Sequence, residues 1–185
     1  AGDIGVLMGI EGNAARRYFA GFAKMMLGPF AFEGRRKHPA PDPVNALLSF
    51  GYTLVFNEIA SLLAGLGFDP YLGYFHSVDY GRASLASDLL EEFRASMDRF
   101  TLYLINNRIF GEDDFYPNPK GEGIYLTRDA LKTYFLQYER HLNRELVHPD
   151  AAETTTLRKC FRSQAEKLAS CIRGWAPYET FNLEA

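Results

Sequence analysis

The chain has 185 residues and a mass of 20.9 kDa, with 47% hydrophobic and 23% charged residues, which excludes a disordered tail and supplies enough apolar material to close a core. The net charge of −3 divides into +3 over residues 1–40, −7 over 41–122 and +1 over 123–185. Charged residues interrupt each apolar run before the roughly 20 residues a bilayer span needs, so the expectation is a soluble protein. Leu and Ala number 42 against 12 for Val and Ile. Straight-chain and small residues lose least freedom in a helix whereas β-branched ones favour strands, so the fold class expected is all-α, a multi-helix domain.

In chain order, apolar residues recur at the helical period from about Ile4 to Leu27, where Gly28-Pro29 ends the first helix. Arg35, Arg36, Lys37 and His38 then lead into a proline-rich turn. Asp42 as cap and Pro43 at the first helical position open a second helix, apolar almost all round and therefore expected at a domain centre. Residues 65–76, broken by Gly65, Gly67, Pro70 and Gly73, should wrap as a loop ending at His76. Ser84 is a candidate cap for a third helix from about Leu85 to Ile109. Turn formers between two short aromatic runs allow at most one small β-hairpin near residues 111–126. Thr127 can cap a fourth helix to about Leu146, stopped by His148-Pro149. A fifth runs from about Thr155 to Arg173 and ends at Gly174. Its Arg158, Lys159, Arg162, Lys167 and Arg173 accompany one acid, Glu166, and read as a solvated face or as phosphate contacts. Residues 147–185 form a C-terminal helix and tail within a single helical domain spanning 1–185.

Two cysteines, Cys160 and Cys171, are too few for a disulfide framework or a zinc site. Eleven apart in one helix, they stand roughly 16 Å apart and cannot bridge. That fits a reducing compartment, and the first residues lack the basic region and cleavage pattern of a signal peptide, so cytoplasm is the expected location.

The chemistry should lie among polar groups placed where a core is expected. Glu11 sits inside an otherwise apolar helix, with Ala14 and Ala15 leaving space beside it. His76 follows the glycine-broken loop, twelve residues before Asp88 and fifteen before Glu91. Asp88, Glu91 and Glu92, at i, i+3 and i+4, share one helix face. Each alone reads most simply as a solvated or satisfied group. Together, a histidine, two carboxylates and a distant helical glutamate make a set that suits Mg2+ or Mn2+, with the imidazole tilting toward manganese. Phosphate-loop, HExxH and GxSxG patterns are absent.

Four blocks then stand in a telling order: EGNAARRYF (11–19), HPAPDPVNALLSFGYTLV (38–55), GFDPYLGYFH (67–76) and YGRASLASDLLEEFR (80–94). With this spacing, residues 7–146 resemble the CRISPR-associated protein one family, the metal-dependent endonuclease and integrase of the CRISPR adaptation complex, in its C-terminal catalytic domain. The resemblance implies Glu11, His76 and Glu91 as metal ligands and Asp88 as a second catalytic acid. It implies Arg82 and Arg94 near DNA phosphate, and Tyr52 beside the DNA branch; their plainer readings are surface ion pairs and helix-core packing. It also implies partners: double-stranded DNA, branched or with 3′-overhang ends, a second copy in the full-length form, and a small ferredoxin-like adaptation protein, with no membrane. The family's N-terminal β-rich pairing domain has no counterpart here, so the chain is expected to be a truncated form. Many relatives carry proline after EEFR where this chain has Ala95, so the third helix should run on without that break.

The implied task is insertion of short foreign DNA fragments into a CRISPR array by phosphodiester cleavage and transesterification. Two other classes compete: a non-catalytic helical interaction module, which would hold no specific metal, and a helical metal enzyme acting on a small molecule, which would show no preference for branched DNA.

Overall fold

The computed structural model describes residues 4–37, 39–73, 83–147 and 154–182. The elements in order are α1 (Ile4–Lys24), α2 (Pro43–Gly65), α3 (Ser84–Leu90), a 3₁₀ turn (Glu91–Phe93), α4 (Arg94–Asn106), β1 (Phe115–Pro117), β2 (Ile124–Leu126), α5 (Arg128–Asn143), β3 (Glu145–Val147), β4 (Thr154–Thr156) and α6 (Leu157–Ile172). The fold is mostly helical, as composition requires. β1 and β2 form the antiparallel hairpin expected near 111–126, with Tyr116 opposite Tyr125. A second small pair, β3 and β4, sets Leu146 opposite Thr155.

The chain divides into two compact units, one of residues up to Ser49 with Phe100–Leu131, the other of Phe50–Arg99 with the residues from Lys132 on. In the first, Asp42 Oδ1 accepts the Asn45 backbone N–H at 2.8 Å, the cap expected before Pro43. Asn45, fully buried, binds the preceding loop in turn: its Oδ1 accepts the Arg36 N–H at 2.8 Å and its Nδ2 donates to the Gly34 carbonyl at 3.0 Å. α1 ends at Lys24, one turn short of the expected Leu27. The Asn106 amide provides the reason, since its Oδ1 accepts the Leu27 N–H at 2.8 Å and its Nδ2 donates to the Met25 carbonyl at 3.0 Å. Gly28 permits this approach, because a Cβ there would lie 2.6 Å from Ile105 Cγ2 and 3.1 Å from its carbonyl oxygen.

α2 corrects one expectation. By length and composition it is apolar enough to cross a membrane even with Glu58 interrupting it, so that interruption does not by itself exclude a span. Its apolarity is used in the protein interior: Val44, Leu47, Leu48, Val55, Ile59 and Leu63 have no solvent exposure.

In the second unit, Gly51 on α2 allows close packing, since a Cβ would meet Tyr134 Oη at 2.6 Å and Met97 Cε at 3.0 Å. Phe93 is fully buried with Phe161 at 4.5 Å and Phe181 at 5.0 Å between ring centroids. Arg158 on α6 holds Glu58 through Nε and Nη2, both at 3.0 Å, and Glu139 at 2.7 and 2.8 Å. Arg162 pairs with Glu166 at 2.9 Å, one turn on. The Arg173 guanidinium lies 5.2 Å from the Phe68 ring and 5.0 Å from Trp175. Arg158, Arg162 and Arg173 therefore have partners within the protein. The Thr156 hydroxyl caps α6 by accepting the Lys159 N–H at 3.3 Å. Cys160 is buried and neither cysteine forms a disulfide.

The third helix is not one uninterrupted α-helix over 85–109. Ala83, with no side-chain bond, holds the cap position that Ser84 was expected to fill. The Pro70 carbonyl satisfies the Leu85 N–H at 2.9 Å. The helical path does continue through Ala95, and its one irregularity is the 3₁₀ turn at 91–93. α5 stops at Asn143 rather than Leu146 because the next residues pair as β3.

Candidate active site

The 3₁₀ turn organises the acidic face. The Glu91 N–H bonds to the Asp88 carbonyl and the Arg94 N–H to the Glu91 carbonyl. These two i to i+3 bonds tighten the helix, so Asp88, Glu91 and Arg94, which share a face in any helix, stand closer to one line than the offset of a plain α-helix would leave them. α3 is otherwise buried: all of its residues but Asp88 are closed to solvent. A half-exposed carboxylate on such a helix marks the strip that faces outward.

Arg94 bridges this edge to α2. Its Nε approaches Glu91 Oε2 at 2.7 Å, a Coulombic pairing misaligned for a hydrogen bond, and its guanidinium stacks 4.8 Å from the centre of the Tyr52 ring. The two side chains remain 23% and 38% exposed, so the ion pair contributes about 1 kcal/mol or less, and the ring contact adds about 0.5–1 kcal/mol. Tyr52 is buried, with a short hydrogen bond donated to Asp98 Oδ1. Asp98 is itself only 3% exposed. The structure thus assembles Asp88, Glu91, Arg94, Tyr52 and Asp98 in one unit. Asp98 was not among the sequence candidates. Its signal was an acid four residues after Arg94, between Met97 and Phe100 on the apolar face, but its tyrosine partner is 46 residues distant.

Glu92, the third acid of the cluster, faces elsewhere. Its carboxylate accepts from Gln164 Nε2 at 2.8 Å, from the Phe181 N–H at 2.7 Å and from the Tyr178 hydroxyl in a short bond. Burial, reinforced by that bond and by the Glu92 charge, raises the Tyr178 pKa above its ordinary value and keeps the hydroxyl a donor.

Glu11 stands on α1 in the other unit, on an exposed stretch where a Cβ on Gly9 or Gly12 would meet nothing within 4 Å. His76 and Arg82 lie outside the described residues. Among the described residues no three His, Cys, Asp or Glu side chains gather as a metal cluster. Asp88 and Glu91 nonetheless fit part of a hard-cation donor set, because both are oxygen donors on one partly open edge.

A family model for CRISPR associated protein Cas1 matches residues 1–140. The chain is 41% identical over 184 residues to CRISPR-associated endonuclease Cas1 3 of Thermus thermophilus, covering 98% of this chain and 54% of that one. A solved Cas1 structure from Thermotoga maritima superposes with a TM-score of 0.80 at 28% identity, covering 100% of this chain and 56% of that one. A Cas6-RT-Cas1–Cas2 complex contains a region with a TM-score of 0.84 at 27% identity, covering 100% of this chain and 20% of that one. The chain spans about half the length of the curated relatives it matches. A matched family model over most of the sequence and a shared fold agree with the motif blocks: the chain belongs to the CRISPR-associated protein Cas1 family.

Proposed function

We propose that the chain forms the catalytic part of a divalent-metal-dependent DNA endonuclease and integrase that inserts short foreign fragments into a CRISPR array. The observation that carries this reading is the line of Asp88, Glu91 and Arg94 along one half-open edge, with Tyr52 packed against Arg94. Glu11, His76 and Glu91 are the proposed ligands of Mg2+ or Mn2+, with Asp88 as the second acid. The ion, when bound, supplies Lewis acidity toward a phosphodiester oxygen.

The protein groups divide the remaining work. Arg94, with Arg82, attracts DNA phosphates, and each phosphate contact releases counterions, so affinity falls steeply with salt. Tyr52, itself bonded to Asp98, stacks on the Arg94 guanidinium and limits how far it swings. When water attacks phosphorus, the strand is cut. When a DNA 3′-hydroxyl attacks, a new phosphorus–oxygen bond forms as the old one breaks, and the displaced strand leaves with its own 3′-hydroxyl. The similarity to a region of a complex containing Cas2 supports a Cas2-type partner, and a second copy of the longer protein completes the assembly. The proposed compartment is the cytoplasm.

The test is strand transfer on branched DNA with Mg2+ or Mn2+, for the chain and for Glu91→Gln. The expected result is joined and cut strands from the parent and about 100-fold fewer from the variant. Metal binding without preference for branched DNA would instead favour small-molecule chemistry. A folded chain that holds no divalent ion would favour an interaction module.

A further inference from the structure

The acid beside Glu91 has a separate assignment. Glu92 gathers three donors from the C-terminal part of the chain: the Gln164 amide on α6, the Tyr178 hydroxyl and the Phe181 backbone N–H. Gln164 is fully buried, and its Nε2 also donates to the Glu179 carbonyl at 3.0 Å. The amide orientation is therefore fixed, because flipping it would set its oxygen against the Glu92 carboxylate. That orientation leaves Gln164 Oε1 buried without a hydrogen-bond partner among the described residues, a cost that apolar packing alone would not select. Phe93, the residue after Glu92, packs its ring between Phe161 and Phe181. Residues 178–181 are thus fastened to the 3₁₀ turn by one carboxylate and one ring.

We propose that Glu92, held by Gln164, Tyr178 and the Phe181 main chain, is a positioning residue that keeps residues 91–93 in 3₁₀ geometry and so keeps Asp88 and Glu91 in line. The inference rests on the reading of those two acids as metal-site residues. In a 3₁₀ turn, side chains three apart eclipse; in an α-helix they are offset by roughly 60°. Release of Glu92 lets the segment relax toward the commoner geometry and turns Glu91 away from Asp88. A carboxylate accepts from all three donors as they stand, whereas a glutamine would aim N–H groups at one of them and force Tyr178 to turn its hydroxyl hydrogen elsewhere.

The experiment is a calorimetric Mn2+ titration of the full 185-residue chain and of Glu92→Gln, Tyr178→Phe, Glu91→Gln and Thr156→Ala, each with a thermal melt. Thr156→Ala weakens the α6 cap without touching the turn, so it shows what lost stability alone does. The expected result is at least ten-fold weaker binding in folded Glu92→Gln, a loss of about three-fold in Tyr178→Phe, and unchanged binding in Thr156→Ala. Hydrogen exchange of amides 88–94, measured without metal, should rise in Glu92→Gln. If Glu92→Gln does not fold, Tyr178→Phe decides: weaker binding supports the proposal and parental binding overturns it. A parental Mn2+ site that is lost in Glu91→Gln but unchanged in folded Glu92→Gln overturns this inference alone. A parent with no Glu91-dependent site overturns the functional reading and this inference with it.

Discussion

Two helical stretches carry candidate acids under opposite conditions. Along α1, residues 9–18 are all exposed, and Val6 and Ile10 show 60% and 62% of their surface. From Ser84 to Asn106 most side chains are enclosed, and even the polar Ser84, Asp98 and Thr101 are buried. Glu11 stands on that exposed stretch. Glu91 is fixed by a 3₁₀ turn, by Arg94 behind it and by the anchor on the next residue. A glutamate in an apolar helical sequence therefore carries no fixed environment; the elements packed against the helix decide it.

That contrast breaks most visibly through packing. Phe93→Ala should destabilise the protein by about 4 kcal/mol, whereas Ile10→Ala should change stability by about 0.5 kcal/mol or less; chemical denaturation reads both. Equal losses would mean that α1 is enclosed after all. Next in size, Glu91→Gln should lower strand transfer on branched DNA about 100-fold, roughly 2.7 kcal/mol of transition-state stabilisation, with the melting temperature kept. Asp98→Ala should cost about 2 kcal/mol, because the buried Tyr52 hydroxyl loses its acceptor; Tyr52→Phe should cost about the same, and the double variant less than the sum. Additive losses would separate the two residues.

His141 tests the enclosed unit by pH. Burial, with the Arg144 charge, pushes its pKa down to about 4, and the Ser96 hydroxyl stands 3.4 Å away. The unfolded chain then binds more protons than the fold between pH 6.5 and pH 4, so His141's contribution is complete above pH 6.5 and is lost as pH falls to about 4. The loss is on the order of 3 kcal/mol. An NMR titration showing His141 protonating near pH 6.5 would remove it from this account.

Local chemistry in the sequence was readable. Asp42-Pro43 opens α2, Thr127 accepts the Ala130 N–H at 3.3 Å, and the aromatic runs around 115–126 pair as a hairpin. These depend on neighbours within a few residues. What escaped the sequence depends on distant ones: the Asn106 side chain that ends α1, the strand that ends α5, and the tail residues that hold Glu92. The i, i+3 spacing of Asp88 and Glu91 was legible, and the turn that aligns them was not, because the three donors on Glu92 lie 72 to 89 residues away.

The most direct measurement is whether Glu91 and Glu11 act on the same ion. Manganese titrated into the chain by calorimetry, beside Glu91→Gln, Glu11→Ala and His76→Ala, should reveal one site in the parent that weakens at least ten-fold in every variant. A parental site that persists in the folded variants, or a folded parent with no site, would contradict the metal-dependent integrase reading.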